Sequence, residues 1–80
     1  MSSLKYHLRF PEEKISRPVV YEIGKEYPVV TNIRGANVTE TTGWLTLELT
    51  GEIDDIERAV EGLKQKGVHV DPIELDVIEG

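Results

Sequence analysis

Serine hydroxyls and histidine imidazoles are the side chains in this sequence that could carry covalent catalysis. The serines are Ser2, Ser3 and Ser16, all near the amino terminus or in the first loop, and the histidines are His7 and His69. A catalytic serine needs a neighbouring histidine and a carboxylate that orients it, and this spacing gives no such arrangement. The seven glycines form neither a phosphate-binding loop nor a dinucleotide fingerprint. We therefore predict that the chain is not an enzyme.

Metal-ligating residue types are present, but their spacing does not define a metal site. The chain has no cysteine, which excludes zinc–thiolate and iron–sulfur ligation within it. His7 and His69 fall on strands that would be neighbours, with Asp71 as the candidate third ligand, but solvated surface histidines are the favoured interpretation. The acidic residues within 52–57 suit the dipole at a helix start and lack calcium-loop spacing. We predict no metal and no other cofactor.

The overall charge and hydropathy limit the classes of partner. Nine Lys and Arg stand against fifteen Asp and Glu, which gives a formal net charge of −6. Phosphate backbones select basic surfaces, so we do not expect nucleic acid as a partner. No segment has the length of a signal-peptide core or a membrane helix, so we expect no direct membrane insertion and a cytoplasmic location.

Apolar periodicity divides the sequence into six elements. Alternation of apolar and polar residues predicts strands, and apolar residues spaced three or four apart predict helices. The predicted elements are a strand over 4–10, a helix over 18–27, a strand over 29–39, a strand over 44–50, a helix from 53 to a cap at Gly67, and a strand from 68 that Pro72 interrupts.

The second strand changes parity in its middle. Ile33 lies on one parity, whereas Ala36 and Val38 lie on the other. One extra residue near 34–35 would return all three side chains to the same face. We therefore predict a β-bulge at this point, followed by a hairpin to the next strand.

The element order predicts an α+β fold of the ferredoxin-like type, with βαββαβ topology. We expect a two-layer sandwich in which a four-stranded antiparallel sheet carries both helices on one face. Trp44 and Thr46 lie by parity on the other, open face. An exposed tryptophan among polar neighbours is typical of an interaction surface, and a tryptophan that caps the edge of the core is the alternative.

A resemblance to the NIL domain family is carried by two stretches: LRFPEE followed by PVVYEIGKEY, and TNIRGANVTETTGWLTLELTGEIDDIERAVEGLKQKGVHVDPIE. The Asn-Ile-Leu triplet that names the family reads Asn32, Ile33, Arg34 here. The resemblance implies a ferredoxin-like fold related to ACT regulatory domains. It predicts a single NIL-like domain over 1–80, with its core at 4–74 and a tail or linker at 75–80.

The resemblance also implies where a ligand would bind. NIL domains of methionine ABC importer ATPase subunits pair and bind methionine, and other members lie beside iron–sulfur modules in ferredoxins linked to sulfur assimilation. The matching positions are Asn32, whose amide would hold the polar end of an amino acid, and Leu45, with Ala36 and Val38 nearby. A side chain that satisfies the bulged backbone is the other interpretation of Asn32.

Two functions follow from these observations. The first is a non-catalytic regulatory module, a homodimer that binds methionine or a related sulfur amino acid and acts on a transporter. The alternative is a protein-interaction module with no ligand of its own, which docks an iron–sulfur or sulfur-assimilation partner such as a ferredoxin. Its surface would be the open face at Trp44 and Thr46, or the alternating tail at Ile73, Leu75 and Val77.

Overall fold

The computed structural model describes residues 1–73 of the 80-residue chain. Its elements are β1 (Ser2–Phe10), a short 3-10 helix (Glu12–Lys14), α1 (Val19–Glu26), β2 (Val30–Val38), β3 (Gly43–Gly51), α2 (Ile53–Gln65) and β4 (His69–Pro72). Each predicted strand and helix is confirmed to within two residues at its described ends. The tail predicted at 75–80, with Leu75 and Val77, lies outside the described residues.

The four strands form one antiparallel sheet in the order β2-β3-β1-β4. The long strands β1 and β3 pair along their whole length, from Ser2 opposite Gly51 to Phe10 opposite Gly43. Pro72 ends β4 at the edge of the sheet, where a residue without an N–H is tolerated. This order, with both helices packed on one face, confirms the ferredoxin-like fold.

The core lies between the sheet and the two helices. Alternate residues of β1 and β3 project into it, and the apolar stripes of α1 and α2 cover them. The fully buried large side chains are Leu8, Val19, Ile23, Leu47, Leu49, Ile56 and Leu63. Burial on this scale stabilises by about 1.5–3 kcal/mol for each large apolar side chain.

The predicted bulge in β2 is present. The pairing of β2 with β3 shifts by one residue between Ile33 and Gly35. Beyond the shift Ala36 lies opposite Leu45, so β2 presents its apolar residues to the helix side on both sides of the bulge. The helices cover this edge of the sheet only in part, and the side chains of Ile33 and Val38 remain 52% and 55% exposed.

Candidate functional site

Asn32 lies on the open face of the sheet, among charged side chains. It is opposite Glu48 on β3, and Glu48 is opposite Lys5 on β1, so the three form one row across the sheet. Directly opposite residues share a face because side chains alternate along each strand. Arg34 approaches the same carboxylate, with 3.6 Å between its Nη1 and Glu48 Oε1. The surroundings of Asn32 are therefore polar and carry charges of both signs.

The other predicted ligand residues lie on the opposite face of the sheet. Ala36 is opposite Leu45, and Val38 is opposite Gly43. Leu45 is buried in the core, whereas Ala36 and Val38 lie on the exposed edge strand. The structure thus brings Ala36, Val38 and Leu45 together on the helix side, and it places Asn32 across the sheet from them.

An apolar cavity of about 160 Å³ opens beside Val38 and Leu45, between the start of α1 and the β2–β3 end of the sheet. Phe10 of β1 and Val19 and Val20 of α1 also line it. Sequence periodicity indicated that the residues from α1 are apolar. Periodicity could not show that these α1 residues and Val38 line the same cavity, because that depends on how α1 packs on the sheet.

Arg17 is the charged residue at this cavity, and the sequence analysis did not single it out. Its Nε donates hydrogen bonds to both carboxylate oxygens of Glu22, at 3.0 and 3.3 Å. The guanidinium side chain is 42% exposed, and that of Glu22 is 25% exposed. The ion pair therefore fixes a cation next to an apolar cavity while leaving it open to solvent.

Trp44 lies on the open face, as predicted. Its side chain is 39% exposed and stacks on the ring of His7, with 5.4 Å between ring centroids and 30° between ring planes. Thr46 is opposite His7 on the same face. A shallow depression at this end of the sheet is lined by His7, Trp44 and His69.

Within residues 1–73, the surroundings of Tyr6 shift its pKa. Burial, with a smaller contribution from the nearby negative charge of Glu57, raises the pKa of Tyr6 above its ordinary value of 10.0. Among residues 1–73, no group of three or more His, Asp or Glu side chains is placed to hold a metal ion. Within the same residues, no helix has the length and hydropathy needed to cross a membrane.

The sequence profile of the NIL domain matches residues 5–72, which is most of the chain. The chain belongs to the NIL domain family. The match includes α1, α2, β2, β3, β4 and the part of β1 from residue 5 onward, together with each of the predicted ligand residues.

Relatives of this NIL domain include methionine import ATP-binding proteins. One from Bacillus licheniformis is 32% identical over 69 residues, which cover 81% of this chain and 21% of the relative. Another from Cupriavidus pinatubonensis is 34% identical over 73 residues, which cover 86% of this chain and 21% of the relative. The chain thus spans about a fifth of the length of these curated relatives.

A solved structure has the same fold as this NIL domain. It is the C-terminal domain of an ABC transporter ATP-binding protein from Enterococcus faecalis, with a TM-score of 0.77 and 28% sequence identity. The superposition covers 91% of this chain and 86% of that domain. The ferredoxin-like architecture is therefore shared along nearly the whole length of both.

Proposed function

We propose that this NIL domain is a non-catalytic regulatory module that binds methionine or a related sulfur amino acid. The apolar cavity beside Val38 and Leu45 carries the proposal, because two residues predicted to contact the ligand line it. Relatives that share the domain are named methionine import ATP-binding proteins. A domain of this kind would report the amino acid's concentration to an importer ATPase.

Regulation by such a module follows from linked equilibria. A ligand shifts the populations of two states only in proportion to its difference in affinity for them. The cavity lies between the start of α1 and the β2–β3 end of the sheet, so a bound ligand would contact both elements. A bound ligand would stabilise one distance between α1 and the β2–β3 end of the sheet. The importer ATPase would bind the domain differently in that conformation.

Calorimetric titration tests this function directly. The 80-residue chain is titrated with L-methionine, and homocysteine and leucine serve as comparison ligands. The proposal expects saturable binding of methionine that is stronger than the binding of leucine, because thioether and branched side chains differ in shape. No heat of binding with any of the three at millimolar ligand would contradict the proposal.

The alternative function, docking of an iron–sulfur or sulfur-assimilation protein, is favoured by the exposed stack of Trp44 on His7. Aromatic side chains of this kind are common anchors at protein interfaces. Trp44 is the only tryptophan in the chain, so its fluorescence reports on this face alone. A purified ferredoxin that changes this emission saturably, and that binds the Trp44→Ala variant more weakly, would support docking. Equal affinity for parent and variant would contradict it at this surface.

A further inference from the structure

A second concave surface lies on the open face of the sheet, at the end of the strands that carries Trp44. We infer that this open-face depression binds a small ligand in which a planar aromatic ring is joined to a phosphate, of the size of a nucleoside monophosphate. The ring would stack on Trp44, while Arg9 and His69 would bind the phosphate. The depression is across the sheet from Val38 and Leu45, so this inference goes beyond the proposed function and does not depend on it.

The three proposed contact residues lie in one row across three strands. Arg9 of β1 is directly opposite Trp44 of β3 on one side and His69 of β4 on the other. Directly opposite residues share a face of the sheet, and neighbouring strands are about 4.8 Å apart. The row is therefore about 10 Å long from β3 to β4. A ring that is joined to its phosphate through a sugar has a comparable length.

The open-face depression has the size and the rim that such a ligand requires. Its volume is about 400 Å³, within the roughly 300–1,000 Å³ of small-molecule sites. Its rim is formed by Pro11 and Glu12 after β1 and by Thr41 and Thr42 before β3. The Oγ1 atom of Thr39 accepts hydrogen bonds from the backbone N–H groups of Thr41 and Thr42, at 3.3 and 3.0 Å. This side of the rim is therefore ordered before a ligand binds, which lowers the entropy lost on binding.

Trp44 provides the surface for the aromatic ring. Its indole stacks on the His7 imidazole, and 39% of Trp44 remains exposed. Planar rings such as nucleobases stack on an aromatic side chain of this kind whatever their hydrogen-bonding edge. The contact with His7 restrains the indole, so less side-chain freedom is lost when the ligand ring binds.

The side chains around the depression have donor groups to offer to a phosphate. Within residues 1–73, no hydrogen bond to another residue is formed by the side chains of His7, Arg9, Trp44 and His69. Arg9 contacts a carboxylate, with 3.7 Å between its Nη2 and Asp71 Oδ2, but both side chains are more than half exposed and such pairs are weak. A phosphate accepts bidentate hydrogen bonds from a guanidinium and has a further oxygen for His69.

The charge of the chain favours a single nucleotide over a nucleic acid strand. The formal net charge is −6, and a strand carries one negative charge for each nucleotide. Glu12 lines the depression and Asp71 contacts Arg9, so both carboxylates would repel any further phosphate. The row therefore has donors for one phosphate and does not continue into a basic groove.

Titration of the nitrogen-15-labelled chain with adenosine monophosphate tests this site, and adenosine and ribose phosphate are the two halves of that probe. We expect saturable shifts of the Trp44 indole N–H and of the Arg9 and His69 amides. The whole probe should bind about tenfold or more tightly than either half, because the stack and the charged hydrogen bonds each contribute. Either half binding as tightly as the whole probe, or no shifts at millimolar adenosine monophosphate, would overturn the inference.

Substitutions separate the two contacts. We expect Trp44→Ala to weaken binding of adenosine monophosphate about fivefold to a hundredfold, as the loss of a base stack does, and Trp44→Phe to restore most of it. Arg9→Gln should weaken binding about tenfold to a hundredfold and leave the affinity for adenosine unchanged.

Arg34→Gln is the matched control, because Arg34 also pairs with a carboxylate of the sheet, that of Glu48, and does not line the depression. Thermal unfolding verifies that each variant is folded. If folded Arg9→Gln and Trp44→Ala bind adenosine monophosphate as tightly as Arg34→Gln does, the assignment of the site is wrong.

A single-stranded oligoadenylate distinguishes a free nucleotide from one within a strand. We expect the strand to bind no more tightly than adenosine monophosphate. Tighter binding that weakens steeply with added salt would overturn the inference in favour of a strand. Methionine binding is measured separately by calorimetry, so the proposed function and this inference succeed or fail independently.

Discussion

The ring of Tyr27 lies directly against Gly62, where α2 passes the end of α1. A Cβ atom added at Gly62 would lie 2.5 Å from Tyr27 Oη and 2.8 Å from Tyr27 Cε2, closer than nonbonded atoms approach. Glycine inside a helix costs stability relative to alanine, so its presence here reflects this packing.

We predict that Gly62→Ala lowers the free energy of unfolding by about 1–3 kcal/mol, as overpacking of a tight contact does. Gly24→Ala is the matched control in α1. Its added Cβ would meet Thr31 at an ordinary 3.7 Å, so that variant should gain about 0.5–1 kcal/mol. Urea denaturation measures both values, and a Gly62→Ala protein as stable as the parent would contradict the packing described.

Tyr6 makes the free energy of unfolding depend on pH in the alkaline range. Its pKa is raised in the folded state by burial and by Glu57, so the folded state holds the phenol proton more tightly than the unfolded state does. The resulting stability is fully present below pH 10.0, the ordinary pKa, and is lost as the pH rises through the raised pKa.

We therefore expect the free energy of unfolding to fall as the pH rises above about 10, and to fall less steeply in Tyr6→Phe. Denaturation at a series of alkaline pH values measures both slopes. A Tyr6→Phe slope equal to the parent's would show that Tyr6 is not the group responsible.

At the level of the elements, the turn that ends α2 depends on a left-handed residue. Gly67 has a φ of +90°, and Val68 N–H donates to Leu63 O at 3.1 Å to close the helix. A residue with a Cβ is strained there, and Lys14 Cε would lie 3.1 Å from the added atom. We expect Gly67→Ala to lose about 1–2 kcal/mol of unfolding free energy, and Gly67→Asn to lose less. Equal stability of Gly67→Ala and the parent in thermal unfolding would contradict this.

Sequence patterns predicted the elements well because apolar periodicity reports which side of an element is buried. The bulge in β2 is the clearest case, since the opposite parities of Ile33 and Ala36 require one extra residue between them. The same bulge also determines the faces of the candidate ligand residues. Asn32 precedes it on the open face, and Ala36 follows it on the helix side.

The candidate cavity was beyond prediction from the sequence. Arg17 precedes α1 and Val20 lies in its first turn, whereas Val38 and Leu45, which line the same cavity, are far along the chain. Periodicity identifies an apolar face but not the element that covers it, nor the gap left where coverage ends. That gap exists because the helices leave part of β2 exposed, with Val38 at 55%.

For the whole molecule, association with a second copy is the expected route to greater stability. A domain of this length has only a few kcal/mol of stability, and β2 is hydrogen-bonded to another described strand on one side only. Val30, Ile33 and Val38 are exposed apolar residues on that edge strand. Uncovered apolar edge strands favour pairing with another chain.

We predict a homodimer at micromolar concentration, with a thermal midpoint that rises as the protein concentration rises. Sedimentation equilibrium measures the association, and a scan of unfolding temperature against concentration provides the second readout. Ile33→Lys adds charge to the exposed edge, and we expect it to shift the equilibrium toward monomer. A parent protein that sediments as a monomer at these concentrations would contradict the prediction.

The central claim is that this NIL domain binds a sulfur amino acid through the cavity beside α1. The most direct measurement is a titration of the nitrogen-15-labelled chain with L-methionine, followed through its backbone amide signals. We predict saturable shifts centred on Arg17, Val20, Val38 and Leu45, with smaller changes around Trp44 on the other face. Amide signals that do not move at millimolar methionine, or shifts confined to the open face, would contradict the claim.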